Sequence, residues 1–205
     1  MNGSTKKTNQ SPNEKEIEKI KELINSNQLS NAENEVSKLI KKYPYSIKLL
    51  NILGVTLIAQ EKLTDAENIY LKILDIKPDY AEGLNNIANI YMKKNNDEKA
   101  IYFFEKALSI KPSLNQTNFN LAKIYTKSGD KSQISGDFDD SIKKYELAIK
   151  YKPDFVEALN NKGVSLQRLN KIDDAKKIFI EAIKIKPDYF LSHNNLGNIY
   201  IILEK

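Results

Sequence analysis

The chain has 205 residues, of which 40% are hydrophobic and 29% charged, so it can bury an apolar core and keep a polar surface. It contains no cysteine, which excludes a disulfide framework, a thiolate zinc site, an iron–sulfur cluster and a cysteine nucleophile. Two of the five net positive charges, Lys6 and Lys7, lie before Pro12, and the other lysines alternate with Asp and Glu. Because nucleic-acid binders cluster their basic residues on one face, we expect no nucleic-acid partner.

The N-terminal segment 1–12 is polar and is not followed by an apolar stretch, so it predicts a disordered tail and neither a signal peptide nor a membrane anchor. The longest nearly apolar run, residues 49–59, is interrupted by Asn51 and is too short to cross a bilayer. We therefore expect a cytoplasmic protein without a membrane partner.

Prolines divide the rest of the chain at a nearly constant interval. They stand at positions 12, 44, 78, 112, 153 and 187, so the gaps that begin at Pro44, Pro78 and Pro153 are equal. A fixed period of this kind indicates a repeat array. The predicted units are a degenerate repeat at 13–46, full repeats at 47–80, 81–114, 115–155 (with a seven-residue insertion) and 156–189, and a half repeat at 190–205.

Each predicted unit has the same small and bulky positions. Apolar residues recur every three or four positions, which is the periodicity of two consecutive helices. A small residue at the eighth position lets the two backbones approach, and an aromatic or bulky residue of the second helix fills the remaining space. Proline then ends the second helix. The small residues at the eighth position are Gly54, Ala88, Ala122, Gly163 and Gly197.

The insertion in the third full unit coincides with a doubled Ser-Gly-Asp, at 128–130 and again at 135–137. Glycine and serine favour a protruding loop between the two helices of this unit. The insertion is also close to two helical turns in length, so a lengthened first helix is the alternative.

The pattern of small, aromatic and proline residues in a regularly repeated helix–turn–helix resembles the tetratricopeptide repeat family. Residues 83–91 are similar to the arrays of O-linked N-acetylglucosamine transferases and of bacterial tetratricopeptide repeat proteins. The resemblance implies an all-α fold, a right-handed superhelical solenoid of antiparallel helix pairs whose first helices line a concave groove for peptides or protein surfaces. It covers 47–205 well, and 13–46 only through Leu29, Ala32, Val36, Leu39 and Pro44.

The residues that catalysis requires are scarce. There is one histidine, His193, at a position where the family packs a large side chain against the neighbouring helix, and there is no Gly-rich phosphate loop. We therefore predict that the chain is not an enzyme and that it has no catalytic residue, metal or cofactor.

Asparagine dominates the fifth, sixth and ninth positions of the first helices. An amide both donates and accepts hydrogen bonds, so a ladder of amides can pair with the backbone of an extended peptide. In the similar transferase arrays the sixth-position asparagines have this role, and Asn86, Asn120, Asn161 and Asn195 match them. The alternative is that asparagine is simply frequent in this family and in this chain. The predicted peptide-binding residues are Asn85, Asn86, Asn89, Asn120, Lys123, Asn160, Asn161, Asn195, Lys93, Lys127 and Arg168.

The lysines and the arginine of this set form either a basic stripe that favours acidic partners or solvated helix ends. The resemblance implies a protein-interaction scaffold for an extended peptide or partner surface. The alternative function is a substrate-docking arm of a larger enzyme, of the glycosyltransferase or sulfotransferase type. That alternative rests on an apolar C-terminal edge formed by Leu196, Tyr200 and Leu203, which either pairs with a second copy or, as we prefer, precedes further chain after Lys205.

Overall fold

The computed structural model describes residues 12–204 and shows α-helices joined by short turns throughout that range. No strand occurs among these residues, which confirms the predicted all-α helical-repeat class. The predicted tail at residues 1–12 lies, except for its last position, outside the described residues. The helices are α1 (Glu14–Asn25), α2 (Leu29–Lys42), α3 (Ile47–Ala59), α4 (Leu63–Ile76), α5 (Ala81–Lys93), α6 (Asp97–Ile110), α7 (Asn115–Ile134), α8 (Phe138–Tyr151), α9 (Val156–Arg168), α10 (Ile172–Ile185) and α11 (Phe190–Leu203).

The helices form two compact units, Met1–Pro112 with α1–α6 and Ser113–Lys205 with α7–α11. Within each unit every helix packs against the next one along the chain. In the first unit the core surrounds the buried Tyr70, and in the second unit it surrounds Tyr145 and Phe179. The superhelical hand expected from the family resemblance stays a prediction.

The prolines end the second helix of each pair, as predicted. Helices α4, α6 and α8 end at the second position before Pro78, Pro112 and Pro153. The residue between helix and proline is extended, with φ near −140° and ψ near 89° at Lys77 and Lys152. This is the conformation that the proline ring imposes on its predecessor, since the ring clashes with a helical residue there.

Small residues allow the two helices of a pair to approach closely. A Cβ atom added to Gly54 would lie 2.7 Å from the Tyr70 ring, and one added to Gly163 would lie 2.5 Å from the Phe179 ring. Both rings are fully buried. The prediction that an aromatic ring of the second helix fills the space above a small residue is therefore confirmed for these pairs.

The predicted loop in the third full unit is wrong, and the alternative of a lengthened helix is right. Helix α7 runs without a break over 20 residues, whereas α3, α5 and α9 have 13 each. Gly129 lies inside α7, where its Cα faces the Tyr145 ring and an added Cβ would be 2.6 Å away. The packing on Tyr145 outweighs the weak helix propensity of serine and glycine. Only the second Ser-Gly-Asp forms a turn, with Gly136 at φ +83°.

The close glycine also shows where the extra turns lie. Gly54, Gly129 and Gly163 each precede their aromatic partner by the same number of residues. Ala122, the small residue predicted for α7, therefore lies one heptad before the glycine that makes this contact. After Gly129, α7 continues for as many residues as α3 does after Gly54 and α9 does after Gly163. The two additional turns are therefore at the N-terminal end of α7.

The turn between the two helices of a pair contains one residue in the left-handed region. A residue in this conformation ends a helix by turning the chain away from the helix axis. Glycine and asparagine adopt the conformation at the lowest cost in free energy. One of these residues, Glu61 at φ +60°, belongs to neither type. The left-handed residues are Asn27, Glu61, Asn95, Gly136 and Asn170.

Candidate functional site

In the first unit, the predicted groove residue Asn86 of α5 forms a small hydrogen-bonded cluster with Asn51 of α3 and Tyr70 of α4. The amide nitrogen of Asn86 donates to the Tyr70 hydroxyl at 3.0 Å and lies 3.4 Å from the Oδ1 of Asn51. Both asparagines are half-buried, and the Tyr70 side chain beneath them is fully buried. Burial raises the pKa of Tyr70, so its hydroxyl stays neutral as a partner for Asn86.

In the second unit the asparagines form a longer chain of hydrogen bonds across α11, α9 and α7. The amide of Asn195 donates to the Oδ1 of Asn160 at 3.0 Å, and the amide of Asn160 donates to the Oδ1 of Asn161 at 3.2 Å. Asn161 in turn donates to the Oδ1 of Asp130 at 2.9 Å. We call these four residues the amide chain. Each side chain orients the next, so the surface is held in one arrangement.

Two buried hydroxyl groups donate hydrogen bonds to residues of the amide chain. The Tyr145 hydroxyl donates to Asp130 at 2.8 Å, and the Ser192 hydroxyl donates to Asn160 at 3.1 Å. Burial, followed by the hydrogen bond to Asp130, raises the pKa of Tyr145, which keeps the hydroxyl a donor. Asn160 itself is only 4% exposed, so it acts inside the stack and is not open to a peptide.

The amide chain keeps hydrogen-bonding capacity that its own bonds do not use. An asparagine amide has two N–H donors and an oxygen with two lone pairs, and a carboxylate has two acceptor oxygens. Among the described residues, the bonds of the chain leave the Oδ1 of Asn195 and the Oδ2 of Asp130 as acceptors, whereas the Asn161 amide also has a hydrogen bond with the Tyr145 hydroxyl. These two oxygens can accept hydrogen bonds from the N–H groups of an extended backbone.

Because the register of α7 differs from the predicted one, the expected row of asparagines is interrupted in this helix. Asn86, Asn161 and Asn195 stand two positions before the small residue of their helix, and in α7 this position is Lys127, because Gly129 has that role. Asn120, predicted from its distance to the start of the unit, is instead 6% exposed and accepts a hydrogen bond from Gln116 at 3.1 Å. It does not lie with the amide chain.

The remaining predicted residues are spread over both units. Asn85 and Asn89 are half-buried and have interactions of their own within the protein. Lys93 forms an ion pair with Glu61 at 2.7 Å, and Lys123 lies 5.7 Å from the centre of the Phe119 ring. Lys127 and Arg168 are exposed on α7 and α9.

Sequence reasoning missed the residues that hold the amides in place, namely Tyr70, Asp130, Tyr145 and Ser192. One signal for Asp130 and Tyr145 was present, since the constant spacing from glycine to aromatic identifies Gly129 as the contact residue and Asp130 as its neighbour. No sequence pattern distinguished Ser192 from other helix serines.

The predicted packing of His193 against a neighbouring helix is wrong. The ring is exposed, and its Nε2 lies 2.8 Å from the carbonyl oxygen of Pro187. Within residues 12–204, no group of three or more His, Asp and Glu side chains is arranged to hold a metal ion. Among the described helices, none combines the length and apolar character that a bilayer crossing requires.

The C-terminal edge is only partly as expected. Tyr200 and Leu203 are 44% and 48% exposed, whereas Leu196 packs into the cluster that contains Leu166 and Phe179. The exposed side of α11 therefore lacks Leu196.

Similarity to known proteins agrees with the helix-pair architecture. The family described as "Tetratricopeptide repeat" matches residues 47–80, 81–114 and 156–189. A search of curated protein sequences finds no match to this chain.

Solved structures share the fold at low sequence identity. The crystal structure of the MamA protein has a TM-score of 0.63 at 20% identity, covering 84% of this chain and 90% of that one. YrrB, described as a tetratricopeptide repeat protein with an unusual peptide-binding site, has a TM-score of 0.60 at 16% identity, covering 87% and 89%. A tetratricopeptide repeat protein from Parabacteroides merdae has a TM-score of 0.61 at 19% identity, covering 94% and 73%. With its regular proline period, its aromatic rings packed on small residues and its matched repeats, the chain is a member of the tetratricopeptide repeat family.

Proposed function

We propose that this protein is a non-catalytic interaction scaffold that binds an extended peptide segment of a partner protein along the polar faces of its first helices. The observation that carries this proposal is the amide chain. The buried hydroxyls of Tyr145 and Ser192 donate to Asp130 and Asn160, which in turn accept from Asn161 and Asn195. Preorganised polar groups lose little conformational entropy when a ligand binds. YrrB, which has the same fold, is described as having a peptide-binding site, and this description is consistent with the proposal.

The partner segment is recognised mainly through its backbone. Amide groups complement backbone N–H and C=O groups whatever the side chains are, so the site favours sequence-tolerant capture. The exposed Lys127 and Arg168 add a preference for acidic side chains next to the bound segment. In the first unit the Asn51 and Asn86 pair offers the same chemistry on a smaller scale.

The test uses an array of short extended peptides, followed by fluorescence anisotropy with the best binders. We expect Asn161→Ala to weaken binding to the second unit about fivefold, since it removes hydrogen bonds worth about 1 kcal/mol. Asn86→Ala should do the same in the first unit, and the double variant combines the two substitutions. Asn34→Ala with Asn68→Ala is the matched control, because these asparagines are exposed on the second helices α2 and α4. Equal affinity of both double variants at unchanged helix content contradicts the proposed site.

A further inference from the structure

A cavity in the second unit is lined by α8, α9 and α10, and we call it the α8–α10 cavity. Its volume is about 450 Å³, which is in the range of small-ligand sites. Its apolar part consists of the buried Ile142 and Leu166 and the half-buried Ile178. The remaining lining residues are all charged, so the cavity has an apolar part within a charged rim.

The first unit has the same three helices without this space between them. One constant offset along the chain relates the start and the end of α4, α5 and α6 to those of α8, α9 and α10. By this offset Leu166 corresponds to Tyr91, and Ile178 corresponds to Phe103. The rings of Tyr91 and Phe103 stack with their centres 5.6 Å apart and pack against the core of the first unit. Smaller aliphatic side chains stand at both positions in the second unit, so the space of two aromatic rings is left open there.

Lys162 adds a positive charge to the wall of the cavity. Its counterpart in α5, Ile87, is fully buried, whereas the Lys162 side chain is 17% exposed. The Nζ atom of Lys162 lies 2.9 Å from the Oε1 of Glu146. A lysine in this situation packs its apolar stem along the wall and keeps its ammonium group at the polar rim. An ammonium group beside an apolar surface favours an aromatic ring over an aliphatic side chain, because the face of the ring attracts cations.

The charges at the rim favour an acidic ligand group. Four lysines and three carboxylates line the cavity, and three of the lysines have one of these carboxylates within 4.0 Å. The fourth lysine, Lys143 of α8, is exposed and forms no ion pair within the described part of the chain. The three pairs are Lys162 with Glu146, Lys171 with Asp139, and Lys177 with Asp174.

We propose that the α8–α10 cavity binds an aromatic side chain of a partner protein, in a segment that carries an acidic residue next to the aromatic one. The ring contacts Leu166 and Ile178, where the first unit has its own stacked rings, and the acidic residue pairs with Lys143. This site is separate from the amide chain, since Leu166 is rotated by about 140° from Asn161 around the axis of α9.

The probe is a fluorescein-labelled peptide with the sequence Gly-Ser-Asp-Tyr-Glu-Ser-Gly, which is titrated with the full protein by fluorescence anisotropy. One ring and one exposed ion pair are the main contacts, so we expect a dissociation constant on the order of 100 µM. The same peptide with leucine in place of tyrosine is expected to bind about fivefold more weakly, because leucine has no aromatic face for Lys162.

One double substitution in the protein fills the cavity. Leu166→Tyr with Ile178→Phe introduces the ring pair of the first unit and is expected to weaken peptide binding at least about tenfold, because the rings occupy the space of the ligand. The first unit accommodates the same residues at the equivalent positions, so we expect helix content and the urea midpoint to be maintained.

A charge substitution at the rim provides a test that does not depend on the core. Lys143→Glu changes an exposed residue and is expected to weaken binding about tenfold, because it replaces attraction of the acidic residue by repulsion. Lys184→Glu is the matched control, since it makes the same charge change at an exposed position of α10 outside the cavity. The control should bind the peptide with unchanged affinity.

Four results overturn the proposal. These are no saturable binding up to about 1 mM protein, equal affinity for the leucine peptide, equal affinity of the variant with the filled cavity, and loss of binding in the double variant Asn86→Ala and Asn161→Ala. The last result places the peptide at the amide chain. We expect that double variant to bind the probe with unchanged affinity, so this proposal and the proposed function can fail separately.

Discussion

Two equivalent glycines have different surroundings. Gly163 is pressed against the Phe179 ring, with only 2.5 Å for an added Cβ, whereas around Gly197 the same position is open. The residue type is the same because both occupy the small position of the repeat. Its effect on stability differs because only one of the two is covered by a second helix.

Alanine at these two positions should therefore change stability in opposite directions. We expect Gly163→Ala to lower the free energy of unfolding by about 1–3 kcal/mol, since the methyl group must displace a buried ring. Gly197→Ala should raise it by about 0.5–1 kcal/mol, since glycine is a poor helix residue. Urea unfolding followed by circular dichroism measures both values, and a change of the same sign in the two variants contradicts the packing described.

Glu61 is strained at its position in the turn after α3. Its φ is +60°, where other turns of the described chain have asparagine or glycine. We expect Glu61→Gly to raise the free energy of unfolding by about 0.5–1 kcal/mol, because glycine adopts this conformation freely. The lost ion pair with Lys93 is exposed and contributes little. Glu61→Gln, which removes the charge and keeps the strain, is the control and should show no gain.

At the scale of helices, the amide chain and its hydroxyl supports connect four helices of the second unit. Asp130 of α7 accepts from Tyr145 of α8 and from Asn161 of α9, and Asn160 joins α9 to α11. The polar surface is thus part of the packing between helices and not an addition to it.

Removing the central carboxylate should destabilise the second unit. Asp130→Ala leaves the buried Tyr145 hydroxyl without its acceptor, which we expect to lower the free energy of unfolding by about 1–3 kcal/mol. Asp130→Asn should cost less, because its amide oxygen still accepts one hydrogen bond. Asp139→Ala is the control, since this carboxylate is 72% exposed and lies 4.0 Å from Lys171. If Asp139→Ala lowered the free energy of unfolding as much as Asp130→Ala, the central role described for Asp130 would be contradicted.

The sequence was sufficient to predict the helix pairs, but it was insufficient to predict which asparagines lie together in the amide chain. Apolar periodicity and the prolines act locally, so they predicted pairs such as α3 with α4 and α9 with α10. The register of α7 depends on a contact between Gly129 and Tyr145, which no count from the start of the unit reveals. The burial of Asn160 likewise depends on neighbouring helices.

At the scale of the whole chain, two compact units each have their own cores. Repeat arrays are stabilised by contacts between neighbouring repeats, so a stack of several helices can fold without distant parts of the chain. We expect the fragments 12–112 and 113–205 each to show a helical circular dichroism spectrum and a cooperative urea transition. A fragment with a helical spectrum but a broad, non-cooperative transition would mean that its core needs the other unit.

The added length of α7 bears on how such a chain tolerates insertions. Each helical residue turns the chain by about 100°, so a heptad falls only about 20° short of two full rotations. The Gly129 contact with Tyr145 survives the insertion, and the residues before it keep nearly the angular phase that they had without it. An insertion of about five residues would rotate them by about 140° and turn buried side chains toward water. Duplications that insert seven residues into one of these helices should therefore be tolerated better than insertions of other lengths.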